Sequence, residues 1–150
     1  MASADDLLKL NQQLCFPIYA ASNLLVRAYR PLLEPLGLTY SQYLVMLVLW
    51  ERGSVGAGDL ARCLYLDSGT LTPLLKRMEQ GGFIRRRRDV NDERRVMIDL
   101  SDHGIQLRKA AQNVPLELAR QFEASTLDGV ALRDTVNAVV KTLAERIHIR

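Results

Sequence analysis

Cys15 lies in the stretch LNQQLCFPIYA, with Pro17 two residues and Tyr19 four residues after it. At helical spacing the residue at i+4 shares a face with the first, so the Tyr19 hydroxyl can donate to the Cys15 sulfur. A thiol is a good nucleophile only as the thiolate, and an ordinary cysteine is mostly protonated at neutral pH. A reactive role for Cys15 therefore needs groups that favour the anion. Lys9 and Arg27 are far along the same helix, which leaves hydroxyl donors. The competing role for Cys15 is a small apolar filler. Cys63, beside Ala61 and Leu64, reads as such packing.

A second cluster is electrostatic. Lys76, Arg77, Arg85, Arg86, Arg87, Arg88, Arg94 and Arg95 fall within 20 residues that hold only four acids, Glu79, Asp89, Asp92 and Glu93. This segment carries +4, against −1 for the rest of a chain whose net charge is +3. A positive field concentrated in one region suits a polyanion, although such a run is also the usual composition of a solvated face.

The 150 residues suit one domain with its own core, and 48% hydrophobic with 25% charged residues is ordinary globular composition. The longest apolar run, YLVMLVLW, is eight residues, too short to span a bilayer. No secretory signal is visible at the N-terminus, and two cysteines do not make a disulfide scaffold. The expectation is a cytoplasmic chain with no membrane partner, no cofactor and no metal site.

These residues must be positioned by helices. Apolar residues recur at three- and four-residue spacing from Leu7 to Leu33, which predicts one long helix that Pro31 kinks or ends. Cys15 would then lie well past the first turn, beyond the reach of the helix dipole. Pro17 would cost a helix bond and free the carbonyl of Gln13. Thr39 and Gln42 fit a capping box for a helix from Tyr40 to Glu51, with Gly53 as its stop. GDLARCLYL reads as a short helix. A helix capped by Asp67 or Ser68 and stopped by Gly81-Gly82 follows; a shorter one starting at Thr72-Pro73 is possible, but the earlier start puts Leu71, Leu74, Leu75 and Met78 on one face.

The period then changes to two. Val96, Ile98 and Leu100 alternate with Arg95, Met97 and Asp99, Phe83 to Arg88 is the partner strand, and DVNDE is the turn. Ser101 caps a helix running to about Glu123 with an interruption at Pro115, and a last helix runs from about Leu127 to Ile147. The fold class is mainly α with a small β-hairpin wing.

Short helix, tight turn, helix and basic hairpin make a winged helix-turn-helix, whose second helix enters the major groove of double-stranded DNA. Its outward residues are Ser68, Thr70, Thr72, Lys76 and Arg77; the hydroxyls near its start suit base edges and phosphates, the cations phosphates. In the wing, Arg86, Arg94 and Arg95 are the DNA-binding candidates. Arg94 and Arg95 suit the minor groove, and Asp92 would orient Arg94.

LARCLYLDSGTLTPLLKRMEQGGFIRRRRDVNDERRVMIDLSDHG resembles the winged-helix core of the MarR family of bacterial regulators, including its wing pattern Asp-x-x-Asp-x-Arg at Asp89, Asp92 and Arg94. QLCFPIYAASNLLVRAYRPLLEPLGLTYSQYLVMLVLWE resembles the organic-peroxide-sensing OhrR branch. The resemblance implies an intertwined homodimer, with residues 1–36 and 102–150 dimerising and 39–101 binding DNA. It implies repression through a pseudo-palindromic operator, released when an organic hydroperoxide oxidises Cys15.

The resemblance also adds Tyr29 and Tyr40 to Tyr19 as thiolate-stabilising residues. Tyr29 follows Cys15 by 14 residues, or about 21 Å along a helix rising about 1.5 Å per residue. It reaches only the Cys15 of a second subunit whose first helix crosses antiparallel. No cysteine follows Cys63, so the implied scheme is the one-cysteine type: a sulfenic acid capped by a low-molecular-weight thiol, or overoxidised.

Three rivals compete. A MarR-type repressor relieved by a small-molecule ligand would not need Cys15. A thiol peroxidase would need groups polarising the O–O bond and a resolving cysteine, and the ten residues before Cys15 hold no hydroxyl or arginine. His103 and His148 form no ligand cluster with the cysteines.

Overall fold

The apolar run around Tyr43 forms the centre of the molecule. In this computed structural model, which describes residues 6–123 and 125–147, helix α2 (Tyr40–Arg52) buries Tyr43, Val45, Met46, Val48, Leu49 and Trp50. A helix apolar on nearly every side has to be enclosed. The capping box forms as expected: the Gln42 N–H donates to Thr39 Oγ1 at 3.4 Å and the Thr39 N–H to Gln42 Oε1 at 2.9 Å. Gly53, at φ +76°, closes the helix.

Three elements enclose α2 on the winged side: α3 (Ala57–Leu64), α4 (Ser68–Gln80) and the hairpin of β2 (Ile84–Arg88) with β3 (Val96–Leu100). The early start of α4 is the one observed, and its four apolar residues Leu71, Leu74, Leu75 and Met78 are all buried. Strand β1 (Val55–Gly56) was not expected. It pairs antiparallel with β3, Val55 opposite Ile98, to give the order β1-β3-β2. Two residues carry no periodicity, so only the pairing reveals it.

The expected helix from Asp102 to Glu123 is two: α5 (Asp102–Ala111) and α6 (Val114–Arg120), with Pro115 in the first turn of α6, where a missing N–H costs nothing. The last helix, α7, spans Gly129–Ile147. Ser101 links this part to the wing. Its hydroxyl donates to the Gly82 carbonyl at 2.5 Å and accepts the Gly104 N–H at 3.0 Å, while Trp50 Nε1 donates to the Gly104 carbonyl at 2.8 Å. A Cβ on Gly104 would stand 2.2 Å from the Phe83 carbonyl oxygen. Gly104→Ala should therefore cost at least the about 1–3 kcal/mol of an overpacked core, because backbone and not a flexible side chain stands in the way; thermal unfolding reads the loss.

The first helix is shorter than expected. Helix α1 is Cys15–Leu33; residues before it form two 3-10 turns, Asp6–Leu8 and Leu10–Gln12, tied by Gln13 Nε2 donating to the Leu7 and Lys9 carbonyls. Pro17 is the third residue of α1, where no ladder bond exists to lose, so the expected loss at Gln13 does not arise. Proline there marks the start of the helix rather than a flaw in its middle. Pro31 lies inside the helix and does not end it; the chain stays helical to Leu33.

Two regions lack a cover. Leu7, Leu8, Leu10 and Leu14 are exposed, and α7 buries none of its residues although Leu132, Val136, Leu143 and Ile147 form a stripe at helical spacing.

Candidate thiol site and nucleic-acid interface

Cys15 is exposed and is the first residue of α1. The expectation that the helix dipole cannot act there is overturned, because α1 begins at the cysteine. The residue before it, Leu14, supplies no side-chain acceptor, so the first-turn N–H groups remain a source of partial positive charge beside the sulfur. Tyr19 lies one turn on and is 67% exposed.

Tyr29 and Tyr40 meet at the other end of α1, with ring centroids 4.9 Å apart. Tyr43 was not foreseen. It lies 5.7 Å from Tyr29 and sets its ring edge-on to Trp50 at 6.3 Å; the signal in the sequence was its i+3 spacing from Tyr40 on one helix. Burial, then the neighbouring Tyr43 and Tyr40, pushes the Tyr29 phenol up to about 12. Burial raises Tyr40 and Tyr43 too. All three therefore keep their protons at physiological pH and can donate to an anion. Within one protomer this cluster and Cys15 occupy opposite ends of α1.

Cys63 is half-buried and packs against the core. Among the described residues no group of three His, Cys, Asp or Glu could hold a metal ion, and no single helix is long and apolar enough to cross a membrane. Residues 1–5 and 148–150, including His148, lie outside the described residues.

On α4, Ser68, Thr70, Thr72, Lys76 and Arg77 are all exposed, opposite its buried face. Asp67 starts this helix: its carboxylate accepts the Thr70 N–H at 2.8 Å and the Thr70 hydroxyl at 3.0 Å. These bonds hold its carboxyl below the usual aspartate value, so the cap is fully present above that value and is lost only as pH falls through the lowered one.

The wing arginines divide. Arg94 projects with its side chain 93% exposed, and Asp92 Oδ1 accepts its N–H at 3.1 Å and its Nε at 3.3 Å. Arg86 and Arg95 are not free cations. Arg86 is bound to Glu79, and Arg95 Nη2 donates to Asp59 at 3.1 Å. Arg94 is itself paired with Asp92, but it is the most exposed of the three. Arg94→Ala should weaken operator binding by about 1–3 kcal/mol and lower the salt dependence by about one contact; titrations at several salt concentrations check both.

Comparison with known proteins agrees with this fold. The sequence pattern of the transcriptional regulators SarA/Rot matches residues 27–110. The chain is 41% identical to the organic hydroperoxide resistance transcriptional regulator of Bacillus subtilis, covering 97% of this chain and 99% of that one. It is similar to the reduced, DNA-bound AbfR of Staphylococcus epidermidis, at 34% identity and TM-score 0.81, covering 97% of this chain and 99% of the other. It is also similar to overoxidised AbfR bound to DNA, at 35% identity and TM-score 0.74 over 94% and 99%.

Proposed function

We propose that this chain, which belongs to the MarR-type winged-helix transcriptional regulators and within them to the organic hydroperoxide resistance branch, is a cytoplasmic repressor that leaves its operator when Cys15 is oxidised. The observation that carries the reading is the placement of Cys15 at the bare start of α1, in a chain whose second helix-turn-helix element presents an exposed row of hydroxyls and cations. The DNA-binding part is residues 39–101, with Ser68, Thr70, Thr72, Lys76 and Arg77 in the major groove and Arg94, oriented by Asp92, in the minor groove. Residues 1–36 and 102–150 form the homodimer, consistent with the uncovered apolar stripe on α7.

In the dimer, antiparallel crossing of the two α1 helices brings the Tyr29–Tyr40 pair of one protomer to the Cys15 of the other, beside its own Tyr19. Phenol donors and the helix start favour the anionic sulfur. The thiolate attacks the distal oxygen of an organic hydroperoxide; the O–O bond breaks, the alkoxide takes a proton and leaves as the alcohol, and Cys15 becomes a sulfenic acid. A low-molecular-weight thiol then displaces water to give a mixed disulfide. Charge and acceptor are lost at the sulfur, and the cross-protomer bonds that hold the two recognition helices at one spacing fail.

The test is a gel shift on a pseudo-palindromic operator with half-sites one helical turn apart. Organic hydroperoxide plus a small thiol should release the DNA, and mass spectrometry should find the adduct on Cys15. Release by an aromatic ligand without any change at Cys15 would favour the ligand-relieved repressor.

A further inference from the structure

We infer that two acids on the DNA-facing side, Glu79 and Asp59, are positioning residues that fix the angle of the wing against the helix-turn-helix, an inference that rests on the DNA-binding reading above. Glu79 lies in the last turn of α4. Its Oε1 accepts the backbone N–H of Arg86 at 2.9 Å, and its Oε2 accepts Arg86 Nε at 2.8 Å and lies 2.7 Å from Nη2. Strand β2 is at the edge of the sheet, so the Arg86 N–H has no strand to pair with on that side. The carboxylate supplies the missing acceptor, and the fork of the guanidinium fixes its direction. Both side chains are only about one-third exposed.

Asp59 lies in the first turn of α3 and ties the residue just before β3. Its Oδ2 accepts Arg95 Nη2 at 3.1 Å, and its Oδ1 pairs with Arg62. A Cβ on Gly56 would stand 3.0 Å from Asp59 Oδ2 and 3.1 Å from Arg95 Nη2, so the pair fills a groove that a larger residue would close. The hairpin is thus held at two points, one on β2 and one just before β3, by two different helices. A ribbon pinned only at its root could swing; one pinned twice carries Arg94 to one place.

Charge alone makes the opposite forecast. Removing a carboxylate beside a polyanion should raise affinity for any DNA. If the acids position the wing, Glu79→Gln and Asp59→Asn should each lower affinity for the operator about tenfold, while affinity for scrambled DNA is unchanged or slightly higher.

The experiment uses the full-length dimer, a duplex selected by the native protein from a random pool, and a scrambled duplex of the same composition. Arg86→Lys keeps the charge but loses the fork, and should fall with Glu79→Gln. In an Arg94→Ala background, Glu79→Gln should add almost nothing, because a misplaced wing has no contact left to lose. Thermal melting confirms that each variant is folded. Higher operator affinity in the acid variants, normal affinity in Arg86→Lys, or full additivity with Arg94→Ala would overturn the positioning role. Failure of the native protein to enrich any sequence would instead defeat the DNA-binding reading, and this inference with it.

Discussion

Cys15→Ser is expected to bind the operator as tightly as the native protein and to stay bound when organic hydroperoxide and thiol are added. On the proposed reading the serine hydroxyl fits the same space and accepts from the same phenols, so the reduced dimer keeps its geometry. It has no accessible anion and no oxidation ladder, so the first step never occurs. Coupling between two sites typically amounts to about 5–150-fold in affinity, and that is the range by which oxidised native protein should weaken while the variant does not change. Titration of operator before and after oxidant measures both. A variant released like the native protein would transfer sensing elsewhere, to a ligand or to Cys63.

Val136→Asp should have the other large effect. Val136 is 41% exposed in the isolated chain, midway along the stripe from Leu132 to Leu143 and Ile147. If the dimer encloses that stripe, as proposed, an unpaired carboxylate there must be desolvated without compensation. The expected result is a monomer by sedimentation, still folded through its own core because Val136 is not part of it. Operator affinity should then fall by about 10²–10⁴-fold, since two linked half-site contacts become two independent ones. A variant that remains dimeric would remove α7 from the interface.

These two outcomes probe different parts of the molecule and fail separately. If Val136→Asp dissociates the dimer while Cys15→Ser still responds to oxidant, the architecture stands and only the sensor is displaced. If the reverse occurs, the thiol chemistry stands and the dimer is built on another face. Leu7, Leu8, Leu10 and Leu14, all exposed in the segment just before α1, would be the first place to look for that face.

The elements that depend on local chemistry were legible in the sequence. The capping box at Thr39 and Gln42, the Asp67 cap of α4, the four buried residues of its inner face and the period-two hairpin all follow from residue type and spacing, because each is settled by neighbours within a turn or two. Ser68, Thr70, Thr72, Lys76 and Arg77 could be placed outward by the same rule. Tertiary structure decided the rest. The start of α1 is misread from spacing, because apolar residues recur from Leu7 to Leu14 and predict one long helix while the backbone there turns as 3-10; Pro17 marks the true start, and its meaning depends on knowing which residue comes first. That single boundary moves Cys15 from the interior of a helix to its start and changes the field on its sulfur. Likewise, the sequence shows eight cations between Lys76 and Arg95 but not which are already engaged. Asp59 is 36 residues from Arg95, and only folding brings a carboxylate from so far along the chain to a particular guanidinium, leaving Arg94 the more exposed of the two.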